Sequence, residues 1–100
     1  MKSISASALR QQLSAGVDIQ LIDVREPIEH EAYNIGGLLI PMSTVFEHIS
    51  LLLSEKTTVL YCQKGIRSQL VIQRLEEKYG PTNLINLTGG INAWMKTDAE

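Results

Sequence analysis

The segment with the clearest chemical potential is Tyr61–Ser68, Tyr-Cys-Gln-Lys-Gly-Ile-Arg-Ser, which contains the only cysteine of the chain. The preceding residues, Thr58–Tyr61, form a short β-branched and aromatic run that predicts a buried strand. The residues from Ser68 to Leu75 have the apolar spacing of a helix. Cys62 is therefore expected in a tight turn at the carboxyl end of a strand, where open α/β sheets bind their ligands.

The turn after Cys62 combines several features that stabilise an anionic sulfur. Gly65 permits a positive φ angle, so the backbone amides can point inward as an anion-binding nest. The following helix adds a partial positive charge at its N-terminus, and Lys64 and Arg67 add two formal charges. Cys62 is therefore predicted to be a nucleophile at neutral pH. The alternative is that Cys62 is a small buried apolar residue, as most free cysteines are; the glycine and the two cations disfavour it.

Three polar residues of this turn have a structural and a functional interpretation. A cation in the first turn of a helix is not stabilised by the helix dipole, so Arg67 is predicted to steer an anion at the mouth of a pocket rather than to be merely solvated. Lys64 fits a surface charge equally well. Ser68 is predicted to be the N-cap of the helix, and its hydroxyl could also serve the site.

The pattern Cys62-x-x-Gly65-x-Arg67-Ser68 resembles the active-site loop of the rhodanese-like sulfurtransferases. Three further segments resemble the same family in the right order, and the resemblance covers nearly the whole chain. They are Asp23-Val24-Arg25-Glu26-Pro27-x-Glu29, Ile35-x-Gly37 followed by Ile40-Pro41, and Leu87-x-Gly89-Gly90-x-x-Ala93-Trp94. The chain departs from the family at a structural turn, with Asn34-Ile35 in place of His-Ile and Gly37-Leu38 in place of Gly-Ala.

This resemblance implies a sulfurtransferase that moves sulfane sulfur through a persulfide on Cys62. The donor would be thiosulfate or a persulfide, and the acceptor cyanide, a thiol or a protein. No cofactor is required by such chemistry. Cys62 would be catalytic, and the substrate-binding residues would be Gln63, Lys64, Gly65, Ile66, Arg67 and Ser68.

Two other functions are compatible with a reactive cysteine in this position. A cysteine-dependent phosphatase or arsenate reductase uses a Cys-x5-Arg loop, whereas this chain has Cys-x4-Arg, and no well-placed aspartate is evident to protonate a leaving alcohol. A sulfur carrier or docking module would use Cys62 to take sulfur from the persulfide of a partner protein. The chemistry at Cys62 would then be the same, but small donors would react slowly.

Length and composition predict a single rhodanese-like domain over residues 1–100. The 44% hydrophobic and 20% charged content is typical of a globular chain, and the net charge of −2 gives no basic field for nucleic acid. One cysteine excludes an internal disulfide or a Cys-x-x-Cys site, and no set of metal ligands is apparent. The apolar runs are too short to span a membrane and no signal peptide is apparent. A reactive thiol is easiest to keep in a reducing compartment, so a cytoplasmic location is expected.

Strands and helices alternate along the chain, which predicts a three-layer α/β/α fold of rhodanese-like type. Its mainly parallel sheet of about five strands would carry helices on both faces. The predicted strands are Ser3–Ile4, Ile19–Val24, Leu38–Ile40, Thr58–Tyr61 and Leu84–Leu87. The predicted helices are Ala6–Ala15, Pro27–Tyr33, Ser43 or Thr44 to Leu53, Ser68–Tyr79, and a last helix that contains Trp94.

Four other residues and the C-terminal segment have predicted roles. The resemblance implies a mainly structural role for Asp23, which would bond backbone or a neighbouring cation. His30 and His48 are expected to lie at the surface. Trp94 is expected to pack in the core near the active-site loop, and the residues from Lys96 to Glu100 are expected to be frayed.

Overall fold

The computed structural model describes residues 1–97. Its strands are β1 (Lys2–Ile4), β2 (Gln20–Asp23), β3 (Leu38–Leu39), β4 (Thr58–Tyr61) and β5 (Leu84–Leu87). Its α-helices are α1 (Ala6–Ser14), α2 (Pro27–Ala32), α3 (Ile49–Leu52), α4 (Ile66–Tyr79) and α5 (Gly90–Thr97), with a 3₁₀ helix over Met42–His48.

The strands form one sheet in the order β1-β5-β4-β2-β3, and each pair of neighbours is parallel. Strand β4 therefore lies in the middle, with β2 and β5 on its two sides. In a parallel sheet the carboxyl ends of the strands meet at one edge. That edge carries Cys62, which directly follows β4, and Asp23, which pairs in register with Tyr61.

The side chains of β4 alternate between two hydrophobic layers. Leu60 faces the layer that includes the inward residues of α4, α3 and the 3₁₀ helix. Val59 and Tyr61 face the layer that includes the inward residues of α1 and α5. Strand β4 is fully buried, and its sequence is accordingly the nearly continuous apolar run that is typical of central parallel strands. The predicted three-layer α/β/α fold with a parallel five-stranded sheet is confirmed.

Tyr61 also ties the centre of the sheet to the turn before β3. Its ring is buried, and its hydroxyl donates to the Gly36 carbonyl at 2.9 Å while accepting from the Ile35 amide at 3.4 Å. Burial, followed by the negative charge of Asp23, raises the pKa of Tyr61 to about 12. The turn at which the chain departs from the family pattern is thus held by a phenol on the central strand.

Two helical predictions differ from the structure. The segment after Pro41 is mostly 3₁₀ helix, because the Thr44 amide and hydroxyl both donate to the Pro41 carbonyl and tighten the turn. Phe46 in this segment is 48% exposed. Helix α4 begins at Ile66 rather than at Ser68, and its Leu70 is exposed.

The end of the chain is ordered further than predicted. Lys96 and Thr97 belong to α5, and Thr97 is buried with its hydroxyl accepting from Arg10 of α1. The prediction of fraying is therefore wrong for these two residues, and its remaining part, residues 98–100, lies outside the described chain. Within residues 1–97, no helix combines the length and the apolar character needed to cross a membrane.

A Tyr61→Phe substitution tests the role of the buried phenol. We expect it to lower the free energy of unfolding by about 1 kcal/mol at neutral pH, because the Gly36 carbonyl loses its donor. The pKa of Tyr61 is about 10 in the unfolded chain and about 12 in the folded protein. The protonated phenol therefore stabilises the fold fully below about pH 10, and this contribution is lost as the pH rises through about 12.

The difference between wild type and the Tyr61→Phe variant should therefore shrink between pH 10 and 12 in urea unfolding. Tyr79→Phe, which alters an exposed tyrosine, is the matched control and should follow the wild type within about 0.5 kcal/mol. A difference that stays constant across this range would contradict the assignment.

Candidate active site

Cys62 lies between the end of β4 and the start of α4, in a loop that is held at both ends. Gly65 is the N-cap residue of α4 and has a φ of 89°, a left-handed conformation that side chains other than glycine disfavour. A Cβ atom there would also lie 3.0 Å from the Gly89 nitrogen. The loop therefore needs glycine at this position both for its φ angle and for its close approach to the turn before α5.

The sulfur of Cys62 accepts hydrogen bonds from the loop backbone. The Gly65 amide lies 3.1 Å from Sγ and the Ser68 amide 3.4 Å from it. Ser68 is the third residue of α4, whose amide normally bonds to an N-cap side chain, and Gly65 has none to offer. The sulfur takes that place, so the prediction that Ser68 is the N-cap is wrong.

The Ser68 side chain points instead towards the sulfur and the neighbouring strand. Its Oγ lies 3.3 Å from Cys62 Sγ, and it donates to Oδ1 of Asn86. The Asn86 amide in turn donates to the Gly65 carbonyl at 3.2 Å. Asn86 is a buried residue of β5 that sequence reasoning missed, because in sequence it is one polar residue in an apolar strand. It joins the loop glycine to the hydroxyl beside the sulfur.

Helix α5 holds the loop from its other side. Its Ile91 and Asn92 amides donate to the carbonyls of Cys62 and Gln63, each at 3.0 Å. This contact requires Gly90, because a Cβ atom there would collide with the Cys62 carbonyl. The double glycine before α5 therefore serves the cysteine loop directly.

Arg67 lies at the rim of the site and has an acidic partner. Its Nη1 and Nη2 donate to the two carboxylate oxygens of Glu29 in α2, at 2.7 and 2.9 Å. The hydrogen bonds from Arg67 lower the pKa of Glu29 to about 2, and the bond to Glu29 raises the pKa of Arg67. The predicted anion-steering role of Arg67 stays a prediction, but the structure adds a counter-charge that sequence reasoning missed.

A cleft of about 380 Å³ opens above the sulfur and brings most of the predicted site residues together. Cys62 itself is only 1% exposed and lies at the floor. Gln63, Lys64, Ile66 and Arg67 line the cleft, and Glu29 is the lining residue from outside the loop. Gly65 and Ser68 are not among the lining residues; they contact the sulfur through their backbone amides.

A buried ion pair supports the loop from the end of β2. The Asp23 carboxylate accepts from the Arg25 amide at 2.9 Å and from Nε and Nη2 of the same side chain at 3.0 and 2.8 Å. Although burial acts to lower it, the hydrogen bonds and charge of Asp23 hold the pKa of Arg25 above its ordinary value. Arg25 Nη1 donates to Gln63 Oε1 at 3.1 Å. The predicted bonding of Asp23 to backbone and to a neighbouring cation is confirmed.

The two histidines have different surroundings. His30 is half-buried, with Nδ1 2.9 Å from Asp23 Oδ2, so the surface prediction is wrong for it. The short helix α2 turns this ring towards the strand end. His48 is exposed as predicted. Trp94 packs on the core layer of α1 and α5, as expected of a core residue, and its ring lies 4.0 Å from the Arg10 guanidinium carbon.

This arrangement surrounds the Cys62 sulfur with oriented donors. Two amides and the N-terminus of a fourteen-residue helix point at the sulfur, and each favours negative charge there. Across the described residues, the histidine, cysteine and carboxylate side chains form no group that could hold a metal ion. The two amides directed at Sγ suit covalent chemistry on a single sulfur atom.

The Asn86 contacts give a test that needs no substrate. Asn86→Leu should lower the free energy of unfolding by about 1–3 kcal/mol, because the Ser68 hydroxyl and the Gly65 carbonyl lose buried partners. It should also change the rate at which iodoacetamide alkylates Cys62, because the loop amides move relative to the sulfur. Asn83→Leu, at an exposed asparagine just before β5, is the matched control. Equal behaviour of the two variants would remove the positioning role.

Comparison with known proteins identifies the family of this chain. Residues 5–97 match the family model described as a rhodanese-like domain. The probable adenylyltransferase/sulfurtransferase MoeZ of Mycobacterium tuberculosis is 38% identical over 97 residues, covering 94% of this chain but only 24% of that protein. A sulfurtransferase of Allochromatium vinosum is 32% identical over 98 residues, covering 96% of this chain and 90% of that protein.

A solved structure has the same fold as this chain. The crystal structure of a rhodanese-like domain protein from Staphylococcus aureus aligns with a TM-score of 0.82 and 32% identity, covering 94% of this chain and 91% of that chain. This chain spans about a quarter of the length of the mycobacterial relative. The matched family model covers residues 5–97 of this chain. The chain therefore belongs to the rhodanese-like domain family.

Proposed function

We propose that this protein is a sulfurtransferase that carries sulfane sulfur on Cys62. The observation that carries the proposal is the sulfur at the floor of a cleft, with the Gly65 and Ser68 amides directed at it. Sulfurtransferases among the similar proteins support the same assignment. Thiosulfate and persulfides are the donor classes that we propose.

The first half-reaction loads the cysteine. The Cys62 thiolate attacks the outer sulfur of the donor, and the new S–S bond forms as the old one breaks. With thiosulfate the leaving group is sulfite, which departs with the bonding electron pair. The product is a Cys62 persulfide whose terminal sulfur is anionic. A covalent intermediate divides one difficult transfer into two easier steps.

The second half-reaction passes the terminal sulfur to an acceptor. A cyanide ion or a thiolate attacks that sulfur, and the electron pair of the broken S–S bond returns to Cys62. Because the chain has one cysteine, no second thiol of this chain can attack the persulfide, and release awaits an external acceptor. A reactive lone thiol is easiest to keep reduced in a reducing compartment, so we propose that the protein acts in the cytoplasm.

The loop residues have distinct roles in this proposal. The Gly65 and Ser68 amides hold the anionic sulfur, and the Ser68 hydroxyl stands within reach of it. Gln63, Lys64, Ile66 and Arg67 form the walls that a donor must pass. No cofactor takes part in either half-reaction.

A second candidate is a sulfur carrier module with the same chemistry. The observation in its favour is that a similar sequence makes up only 24% of the mycobacterial relative, whose name includes an adenylyltransferase. A carrier would accept sulfur quickly from the persulfide of a partner protein and slowly from thiosulfate. Comparative loading rates with the two donors distinguish the carrier from the small-molecule enzyme.

Intact mass spectrometry tests the proposed function directly. After incubation with thiosulfate or an organic thiosulfonate, and without reductant, the protein should gain the mass of one sulfur atom. Cyanide should remove that mass and release thiocyanate. Cys62→Ser should gain nothing and should lose all turnover, while Ser54→Ala, remote from the loop in sequence, should load like the wild type. Residual transfer by Cys62→Ser would overturn the mechanism.

A further inference from the structure

The pairing of Arg67 with Glu29 changes the charge that a donor meets at the cleft. Both carboxylate oxygens of Glu29 are engaged by the guanidinium, and the pKa of Glu29 near 2 keeps this pair ionised throughout the neutral range. The pair therefore presents almost no net charge to an approaching anion. Lys64 is then the one uncompensated cation among the residues that line the cleft.

The rim of the cleft also has an apolar component. Ile66, the first residue of α4, is 61% exposed and lines the cleft beside Arg67. A large exposed aliphatic side chain at a binding site offers contact area to carbon-bearing groups. It offers nothing to a fully hydrated inorganic dianion.

We propose that Glu29 determines the donor preference of the site. By neutralising Arg67, it withholds the guanidinium from small dianionic donors such as thiosulfate. Together with Ile66 it favours monoanionic donors that carry an apolar organic group, such as organic persulfides and thiosulfonates. This inference rests on the proposed function, and it assigns a specificity-determining role to a residue outside the cysteine loop.

Benzenethiosulfonate is a suitable probe of this class. The Cys62 thiolate attacks its terminal sulfur, the S–S bond breaks, and benzenesulfinate leaves with the electron pair. The enzyme is left with the same persulfide that thiosulfate produces. The two donors therefore differ in charge and in the organic group, while the sulfur transferred and the intermediate are identical.

Glu29→Gln is the decisive substitution. The glutamine amide oxygen can still accept from the Glu26 backbone amide, as the carboxylate does at 3.1 Å, so α2 keeps its capping contact. The charge of Arg67 is now uncompensated, and Coulomb's law at a high surface dielectric predicts a gain of about three- to tenfold for each unit of donor charge. The ratio of kcat/KM for thiosulfate to that for benzenethiosulfonate should therefore rise by about three- to tenfold.

Salt and control variants separate this effect from a structural one. The gain in the ratio should diminish as ionic strength rises, because screening weakens exposed charges. Glu31→Gln removes an exposed charge from the same helix and should leave the ratio unchanged. Ile66→Ser should lower kcat/KM for benzenethiosulfonate several-fold more than it lowers kcat/KM for thiosulfate.

The outcomes distinguish the inference from the proposed function. Failure of both donors to load Cys62 in the wild type would overturn the proposed function. If both donors load but Glu29→Gln changes the two kcat/KM values by the same factor, or lowers the thiosulfate value, sulfur transfer stands and the role of Glu29 is rejected. A ratio that rises equally in Glu31→Gln would reject it as well.

Discussion

The capping of helix α4 by the sulfur of Cys62 is the interaction on which the site depends. A helix begins with amides that have no intrahelical acceptor, and Gly65 has no side chain to supply one. The Ser68 amide therefore bonds to Sγ at 3.4 Å, and the Gly65 amide adds a second bond at 3.1 Å. The same contacts cap the helix and favour negative charge on the sulfur, so the geometry of the loop and the chemistry proposed for the sulfur depend on the same hydrogen bonds.

That cap persists only if the loop is held from outside, and two buried polar groups do this. On one side Asn86 joins the Gly65 carbonyl to the Ser68 hydroxyl. On the other side the Asp23–Arg25 pair reaches Gln63. A buried ion pair is expensive unless its remaining donors and acceptors are satisfied. Here the Arg25 guanidinium also bonds to the Tyr33 carbonyl and the carboxylate to its own neighbouring amide, which lets the pair clamp the loop.

Local sequence was sufficient for the parts of the molecule that local forces decide. Strands β4 and β5 lie at their predicted positions because continuous apolar runs between turn residues have few alternatives. The start of α4 was misplaced because Ser68 has the propensity of an N-cap, and that propensity was overridden by a sulfur six residues earlier. Neither Glu29 nor Asn86 was identified, because each acts on a partner 38 or 18 residues distant. Contacts of that range depend on the sheet order.

The charge balance of the cleft is also compatible with the two proposed half-reactions at one site. In the proposed mechanism, Lys64 and Arg67 together offset Glu29 and the thiolate that attacks the donor. A thiolate and a persulfide each carry one negative charge, so loading Cys62 leaves this balance unaltered. The ion pair at the rim therefore has no electrostatic reason to rearrange between the two steps. A cleft without Glu29 would carry an additional positive charge in both states, which would hold dianionic donors and their anionic leaving groups more strongly. In the proposed scheme, neutralising Arg67 would therefore weaken product retention as well as donor binding, and the acceptor would meet a persulfide whose electrostatic surroundings have not changed.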